Sequence, residues 1–217
     1  MLLSLDHVFV LCAAGGPEAE TLARCGLEEG PSNTHPGQGT ACRHFFFHNA
    51  YLELLWVHDA ADARSEAVAA TRIWERWAGR EEGASPFGIV MRLAGPAGAQ
   101  LPFATRAYRP PYLPPDLSIA VAADLPLTEP GLFVLSSAHA RAAPARSSTG
   151  GSAGTELTGV RIGMPARRPL SDAARAAEAA GVVSFEASID HVLHLTFDGG
   201  NGRREDLRPA VPISLQW

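Results

Sequence analysis

The sequence predicts an α+β fold, and three stretches of the chain support this prediction. Residues 3–57 contain a strand, a short helix and two further strands, with apolar residues at the period of two that strands impose. Residues 59–80 change to the period of an amphipathic helix. Residues 155–217 return to strand, helix and strands. Hairpins combined with a few helices are typical of an α+β architecture with mostly antiparallel sheets.

The opening stretch contains its own helix and turn signals. Pro17 suits the first turn of a helix that Gly26 ends. The turn-rich segment 28–39 leads into a strand with an aromatic middle, RHFFFH. Asn49-Ala50 then makes a tight connection to the strand YLELLWV. The sequence therefore predicts an antiparallel hairpin at this point.

The middle of the chain combines one helix with a proline-rich segment. The helix over 59–80 has Asp59 or Asp62 as its cap, and its polar side includes Arg64 and Arg76. A strand, FGIVMRL, follows. Residues 94–130 contain the run YRPPYLPP, whose prolines are incompatible with an internal strand, so a rigid extended wall is expected there. SIAVAAD and GLFVLSSA are predicted to be two more strands.

The last third is predicted to repeat the order of the opening stretch. The segment LTGVRIGM is a strand, the next helix has Ser171 as its N-cap, and three strands follow with a hairpin turn in FDGGNGR. Before it, residues 138–154 are rich in Ala, Ser and Gly and poor in apolar bulk. This composition predicts a flexible surface linker.

Composition excludes several classes of function. The hydrophobic fraction of 46% is enough for a core, and the net charge is −5. All 18 basic residues are arginine, with no dense basic run, so nucleic acid is not expected as a partner. The absence of lysine excludes Schiff-base chemistry and a phosphate-loop lysine from this chain.

The cysteines and the apolar segments predict a cytoplasmic protein without a membrane partner. Three scattered cysteines suggest neither a disulfide framework nor a structural zinc site. The N-terminal apolar run has no basic region and is interrupted by Asp6-His7, so a signal peptide is not expected. Nowhere does an apolar run reach the roughly 18 residues that span a bilayer.

Two metal-capable residues lie in the apolar strands of the opening stretch. In the first strand Leu5, His7 and Phe9 are expected to share one face, and Glu53 lies in the apolar run of the last strand. A buried carboxylate is costly unless it is paired, hydrogen-bonded or bound to a cation. An imidazole beside it makes a candidate metal site, and Arg43 or Arg92 is the alternative partner.

The motifs LDHVFVL, HPGQGT and YLELLWV resemble the glyoxalase-like branch of the vicinal oxygen chelate superfamily. The resemblance is specific over residues 3–57, looser over 84–136 and only architectural over 155–217. It implies paired βαβββ modules whose curved, mostly antiparallel sheets enclose a cleft with a divalent metal on its floor. His7 and Glu53 match the ligand positions of the family's first and last module strands.

The resemblance also implies a division of the chain. Residues 1–58 form the first βαβββ module, and 59–137 form a helix with a degenerate second module. The linker 138–154 then leads to a C-terminal βαβββ-like module over 155–217. All of these are expected to belong to one compact domain.

The remaining ligands of this site are left open. His44 or His48 completes the set, or both are surface residues of the hairpin. A strand-for-strand comparison places His194 opposite Glu53, while Gly88 and Gly159 fall at the positions of His7. The cleft wall offers Tyr108, Arg109 and Tyr112, which either bind an anionic or aromatic ligand or only pack the proline-rich segment. His35 and Thr40 are expected only to shape their loop.

The resemblance implies a metal-dependent lyase or isomerase. A divalent ion (zinc, nickel, manganese or iron) held by His7 and Glu53 would bind two adjacent oxygens of a small substrate, with Glu53 moving a proton. The alternative is a metal-free protein that sequesters a small molecule, as bleomycin-resistance proteins do, and a vestigial cleft is a third reading. A homodimer is compatible with the modules.

Overall fold

A computed structural model of the chain describes residues 3–94, 100–115, 117–136, 155–165 and 169–217. The predicted linker 138–154 lies outside these ranges. The described residues form two sheets, one of eight strands and one of five. No helix in these ranges is long and apolar enough to cross a bilayer.

The eight-stranded sheet has the order β2-β3-β4-β1-β5-β8-β7-β6. Its strands are β1 (Leu3–Leu11), β2 (Asn33–His35), β3 (Thr40–Phe46), β4 (Tyr51–Val57), β5 (Phe87–Leu93), β6 (Thr105–Tyr108), β7 (Ile119–Ala122) and β8 (Gly131–Leu135). The first strand of each half pairs in parallel with the last, and β1 pairs with β5 antiparallel. The predicted α+β fold with paired modules is thus confirmed.

The five-stranded sheet has the order β10-β9-β11-β13-β12. Its strands are β9 (Leu157–Met164), β10 (Ser184–Ala187), β11 (Val192–Phe197), β12 (Arg204–Asp206) and β13 (Ile213–Gln216). In the order of the chain this unit is a strand, a helix and four strands, one strand more than the first module has. The pairing order differs, because β9 pairs with the next strand β10 rather than with the last strand of its unit.

In the described parts of the chain, four α-helices flank these sheets. They are α1 (Ala19–Arg24), α2 (Ala60–Ala63), α3 (Ile73–Ala78) and α4 (Asp172–Ala179). Two predicted caps are confirmed, since Asp59 accepts hydrogen bonds from Ala61 N and Asp62 N, and Ser171 accepts one from Ala174 N.

The single helix predicted over 59–80 is wrong. The structure has α2, a 3-10 helix over Ala69–Thr71, α3 and a second 3-10 helix over Arg80–Glu82. Arg72 breaks the segment, because its φ of 53° lies in the left-handed region. Arg76, assigned to the polar side, is 1% exposed.

The large sheet has two faces with different surroundings. One face, here called the core face, packs with the five-stranded sheet, α1 and α4 through residues such as Val8, Leu54 and Ile162. The other, called the site face, carries a second apolar cluster that includes Phe9, Leu55 and residues of α3. His7 and Glu53 belong to the site face, at the edge of this second cluster.

Candidate functional site

Glu53 lies in the middle of β4 with only 6% of its surface exposed, and three imidazoles surround its carboxylate. The Nε2 atom of His7 is 3.6 Å from Oε2 of Glu53. The Nε2 atoms of His44 and His35 are 3.7 and 3.8 Å from Oε1. All three rings turn the same nitrogen toward one carboxylate.

The strand pairing explains why these residues meet. His44 on β3 is the direct antiparallel partner of Glu53, so both side chains project from the same face. On the other side of β4, the parallel strand β1 places Phe9 opposite Glu53 and His7 two residues before it. His35 reaches the carboxylate from the end of β2, which pairs with β3. Four adjacent strands thus converge on one point.

A β-bulge in β1 sets the direction of His7. The register with β5 shifts between Leu5 and His7, so Asp6 is an extra residue. Leu5 consequently packs on the core face while His7 faces Glu53. The expectation that Leu5 and His7 share one face is wrong, because the bulge breaks the period of two.

Each imidazole is held through its other nitrogen. Nδ1 of His7 is 2.9 Å from Oδ1 of Asp6, and Nδ1 of His44 is 2.8 Å from the carbonyl oxygen of Pro31. A carbonyl or a carboxylate can only accept, so these two Nδ1 atoms donate. Nδ1 of His35 is 3.0 Å from Oγ1 of Thr40. Such contacts are typical of histidines that ligate metals.

The distances to Glu53 indicate that a cation fits between these groups. With the proton on Nδ1, a neutral ring presents a lone pair at Nε2, and a carboxylate oxygen presents another. The separations of 3.6–3.8 Å are longer than hydrogen bonds. Two ligands of a tetrahedral zinc ion, each about 2.0–2.1 Å from it, lie about 3.4 Å apart. These donors are of the kinds that bind divalent metal ions, and the ligand atoms of His35, Cys42 and Glu53 lie within 4.8 Å of one another, close enough to hold one ion.

The charges in the site keep Glu53 ionised. Burial raises the pKa of its carboxyl, but the attraction of His35, His7 and His44 and a hydrogen bond from Cys42 outweigh it, so the pKa lies below its ordinary value. Burial lowers the pKa of His35, and the charge of Glu53 acts in the opposite direction. A neutral imidazole and an ionised carboxylate are the forms that bind metal.

Cys42 adds a thiol to the same group of side chains. Its Sγ is 3.4 Å from Nε2 of His44, and the ligand atoms of His35, Cys42 and Glu53 all lie within 4.8 Å of one another. Burial, followed by the nearby charge of Glu53, raises the pKa of the Cys42 thiol well above its ordinary value. Cys42 is therefore a neutral thiol unless a metal displaces its proton.

A hydrogen-bond chain links two tyrosines to the site. The hydroxyls of Tyr108 and Tyr112 both donate to Oε1 of Gln38, each at 2.9 Å. Nε2 of Gln38 donates to Oγ1 of Thr40 at 2.7 Å, and Thr40 contacts His35. Tyr108 acts on the site through this chain, whereas the ring of Tyr112 also packs against that of His35, with 5.2 Å between the ring centroids.

The loop 35–40 needs glycine to reach this position. Gly39 has a φ of 71°, in the left-handed region that favours glycine. A Cβ atom at Gly39 would lie 2.3 Å from the carbonyl oxygen of Asp59. Only glycine therefore lets the loop pass this close to the start of α2 while His35 and Thr40 face the site.

A comparison with known families identifies the part of the chain that carries this group of side chains. Residues 5–109 match a family model described as a glyoxalase-like domain. These residues carry β1 to β6, and with them His7, His35, His44 and Glu53. The chain carries a glyoxalase-like domain of the vicinal oxygen chelate type. A comparison with curated proteins found no significant match.

A solved structure supports the architecture. A hypothetical protein from Staphylococcus aureus is 10% identical, with a TM-score of 0.53 over 100% of this chain and 99% of that one. This likeness shows the fold alone. The hypothetical protein BH1468 from Bacillus halodurans C-125 is 12% identical, with a TM-score of 0.39 over 62% of this chain and 94% of that one.

The glyoxalase-like domain brings together only some of the residues predicted for its site. His7, Glu53 and His44 meet, whereas His48 is exposed at the hairpin. His194 lies on β11 of the five-stranded sheet, where its Nε2 contacts Oε1 of Glu186 at 3.2 Å. The prediction that His194 corresponds to Glu53 is wrong, because the strands of the last third do not pair in the order of the first module.

The two arginines considered as partners of Glu53 have other partners. Arg43 forms a two-fold hydrogen bond with Glu29, at 2.6 Å from each oxygen. Arg92 pairs with Asp6, the residue that holds Nδ1 of His7. Arg92 thus supports the site from behind the bulge.

Sequence reasoning missed three contributors to the glyoxalase-like site, His35, Cys42 and Gln38. His35 and Gln38 belong to HPGQGT, one of the three motifs that carried the family resemblance. Cys42 lies two residues before His44 on the same strand and so shares its face. These two signals could have identified all three residues.

The second half of the large sheet contributes the Tyr108 hydroxyl from β6 and apolar side chains from β5 and β8. β5 and β8 contribute Val90 and Phe133 to the site face. Gly88 pairs with Phe9, whose ring lies directly over it. Among the described residues, the candidate ligands all come from the first module.

Proposed function

We propose that His7, His35, His44 and Glu53 bind one divalent metal ion, and that the chain is a metal-dependent lyase or isomerase. The observation that carries this proposal is the convergence of three Nε2 atoms on the Glu53 carboxylate at 3.6–3.8 Å. The substrate is a small molecule with two adjacent oxygen atoms, the class that suits a vicinal oxygen chelate site. The imidazole side chains are 11–15% exposed, so part of each ring remains in contact with solvent.

The chain's own residues supply a base and fixed donors. Glu53 accepts a proton from the carbon next to a substrate oxygen, and it returns that proton to complete an isomerisation or elimination. Asp6, Thr40 and the Pro31 carbonyl hold the three rings in place. A bound divalent ion would supply Lewis-acid polarisation of the substrate oxygens.

The donor set narrows the choice of metal. Imidazole and carboxylate ligands suit zinc, nickel, manganese and iron. Thiolates favour softer ions, so participation of Cys42 would favour zinc. Cobalt substitution shows whether Cys42 is a ligand in addition to the imidazoles and the carboxylate. A cobalt–thiolate bond gives a charge-transfer absorption, and Cys42→Ser would remove it. If Cys42 is not a ligand, the cobalt spectra of wild type and Cys42→Ser are the same.

Metal content tests the proposed site. Protein purified without chelator, and protein stripped and reloaded with zinc, should hold about one ion per chain, as measured by elemental analysis and calorimetric titration. We expect the metal affinity to fall at least about tenfold in each of three variants, His7→Ala, His44→Ala and Glu53→Gln. Loss of a residue that only hydrogen-bonds to a metal ligand already lowers metal affinity by about tenfold or more, so loss of a ligand itself should cost at least as much. His48→Ala, which removes an exposed imidazole from the same hairpin, is the control. Wild type that stays folded but binds no metal would overturn the site.

Proton exchange tests the reaction class. Dihydroxyacetone, which has a hydroxyl next to a carbonyl, serves as a general probe, and its carbon-bound hydrogen is followed by NMR in D2O. The loaded wild type should exchange this hydrogen, and Glu53→Gln should not. Equal exchange by the two proteins would exclude Glu53 as the base.

A second candidate is a metal-free binding protein. The apolar second half of the site face, with Val90 and Phe133, favours it because no ligands come from that half of the described sheet. Such a protein would bind small molecules equally well with and without chelator. Calorimetric titration of one bound small molecule, with and without chelator, distinguishes this binding protein from the metal-dependent enzyme.

A further inference from the structure

The five-stranded sheet repeats the strand pairing found at the centre of the large sheet. From β10 to β12 the pairs are parallel, antiparallel, parallel and antiparallel. The run β4-β1-β5-β8-β7 has the same succession. Each strand of the small sheet therefore has a counterpart in the large one, with β10 corresponding to β4 and β9 to β1.

The register extends this correspondence to single residues. On β1, His7 pairs with Tyr51, and Glu53 lies two residues further along β4. On β9, Arg161 pairs with Ser184, and Glu186 lies two residues further along β10. Glu186 thus occupies the place of Glu53, with an arginine in the place of His7.

Glu186 is held by two neighbours on this sheet. Oε1 of Glu186 is 3.2 Å from Nε2 of His194, the residue that pairs with Arg161 across β9 and β11. Oε2 is 3.2 Å from Nη1 of Arg161. The carboxylate is therefore already engaged by a guanidinium, and it is not free to act as a metal ligand as Glu53 is.

A cavity of about 60 Å³ lies beside these groups. It is lined by Arg161, Glu186, His194, Leu195, Thr196, Arg204, Ser214 and Gln216. At roughly 10–15 Å³ of such volume for one water molecule, it accommodates several waters or a group the size of phosphate or carboxylate. Nearly all of its lining is polar.

Two further lining residues carry hydrogen-bond donors. Ser214 is 3% exposed and lines the cavity with its neighbours on β13. Arg204, on β12, also lines the cavity, and the pKa of Asp206 is lowered by a hydrogen bond from Arg208 and further by the charge of Arg204. The hydroxyl and the guanidinium can both donate to a ligand in the cavity.

We propose that this cavity binds a small oxyanion, the phosphate or carboxylate group of a small molecule, between Arg161 and Arg204. Two guanidinium groups against one carboxylate leave a net positive charge, and guanidinium pairs preferentially with planar or tetrahedral oxyanions. The Ser214 hydroxyl donates a further hydrogen bond. The same position thus serves a cation in the large sheet and an anion in the small one. The proposal does not depend on metal binding at Glu53.

Calorimetric titration at constant ionic strength, with inorganic phosphate in one arm and malonate in the other, tests this site. The wild type should bind one equivalent of at least one probe, and the preferred arm identifies the oxyanion. Arg204→Gln and Arg161→Gln should each weaken binding about tenfold or more, as expected for a charged hydrogen bond. Ser214→Ala, which leaves the charge unchanged, should weaken it by a smaller factor.

Two control variants test whether anion binding depends on this cavity rather than on overall charge or on the Glu53 site. Arg175→Gln removes an equal charge from the exposed surface of α4 and should bind like wild type. Glu53→Gln should also leave anion binding unchanged. The proposal is overturned if neither probe binds saturably, if Arg175→Gln weakens binding as much as Arg204→Gln, or if Glu53→Gln abolishes it.

Discussion

At the scale of single residues, the buried charge of Glu53 determines which side chains must surround it. It is 6% exposed, and an isolated charge at that depth would cost several kcal/mol. Positive charge on the three imidazoles, or a metal ion bound among them, offsets this cost, and the outer nitrogens of the rings are fixed by Asp6, Thr40 and the Pro31 carbonyl. The site is therefore rigid before any ligand binds, which is the condition for strong and selective metal binding.

The contact between Phe9 and Gly88 gives a prediction on stability. A Cβ atom at Gly88 would lie 2.0 Å from Cζ of Phe9, so Gly88→Val must displace the ring that covers this part of the site face. Overpacking of this kind costs about 1–3 kcal/mol or more. Urea denaturation followed by circular dichroism should show the loss.

Ala107→Val is the control for this substitution, because Ala107 lies exposed on β6. It adds the same β-branched side chain without a clash and should change stability by less than about 0.5 kcal/mol. If Gly88→Val were as stable as this control, the Phe9 ring would not require glycine at position 88.

Tyr108 gives a prediction on pH dependence. It is 3% exposed, and burial raises its pKa to about 12, above the ordinary value of about 10. Below about pH 10 the phenol is protonated in both states and its contribution to stability is complete. Between about pH 10 and 12 the unfolded chain loses the proton first, so stability falls by an amount on the order of 2 kcal/mol.

Urea denaturation at a series of alkaline pH values measures this loss. Tyr108→Phe should be less stable at neutral pH, because the hydrogen bond to Gln38 is lost. Its stability should then fall less steeply than that of wild type above pH 10. Parallel curves for the two proteins would show that Tyr108 does not titrate differently on folding.

The sequence predicted part of the site because strand periodicity is a strong signal. His7 and Glu53 were identified from their places in apolar strands, and the structure brings them to 3.6 Å. His35 could not be placed in this way, because β2 is three residues long and the loop after it depends on Gly39. Periodicity says nothing about a residue that reaches the site from a turn.

At the scale of elements, the segment 59–82 shows where pattern reasoning fails. An arginine on an amphipathic helix is normally assigned to solvent, yet Arg76 is buried and donates to the carbonyls of Leu127 and Glu129. These carbonyls belong to the loop between β7 and β8, which no local pattern in 59–82 can reveal. The strands β2, β6 and β12 were missed for a related reason, since three or four residues are too few to establish a period.

Arg76 gives the prediction at this scale. Arg76→Leu keeps a long apolar side chain but removes the guanidinium. The buried carbonyls of Leu127 and Glu129 then lose their donor, and the carboxylate of Glu129 loses a nearby positive charge. Breaking a buried charged network of this kind costs about 3–5 kcal/mol. Arg64→Leu, on the exposed surface of the same segment, should cost less than about 1 kcal/mol. Thermal and urea denaturation compare the two variants, and equal losses would contradict a structural role specific to Arg76.

At the scale of the whole molecule, the two sheets are joined by polar contacts as well as by the shared core. The side chain of Asn49 donates to Leu157 O at 2.9 Å and accepts from Leu157 N at 3.0 Å, which fixes the first hairpin to β9. Glu129 accepts from the backbone N–H and the hydroxyl of Ser171, at 3.0 and 2.6 Å, which fixes the β7–β8 loop to the start of α4. The core cluster includes residues of both sheets.

Because one core serves both sheets, we expect the chain to unfold as a single cooperative unit. Trp56 reports on the large sheet and Trp217 on the small one, so single-tryptophan variants should give urea transitions with the same midpoint. Asn49→Ala should lower both midpoints together, by about 1–3 kcal/mol for two lost hydrogen bonds to partly buried backbone. Asn201→Ala, in the exposed turn before β12, should lower neither. If the Trp217 transition moved to lower urea while the Trp56 transition stayed in place, the small sheet would be a separate folding unit, and its proposed oxyanion site would have to be studied as an independent module.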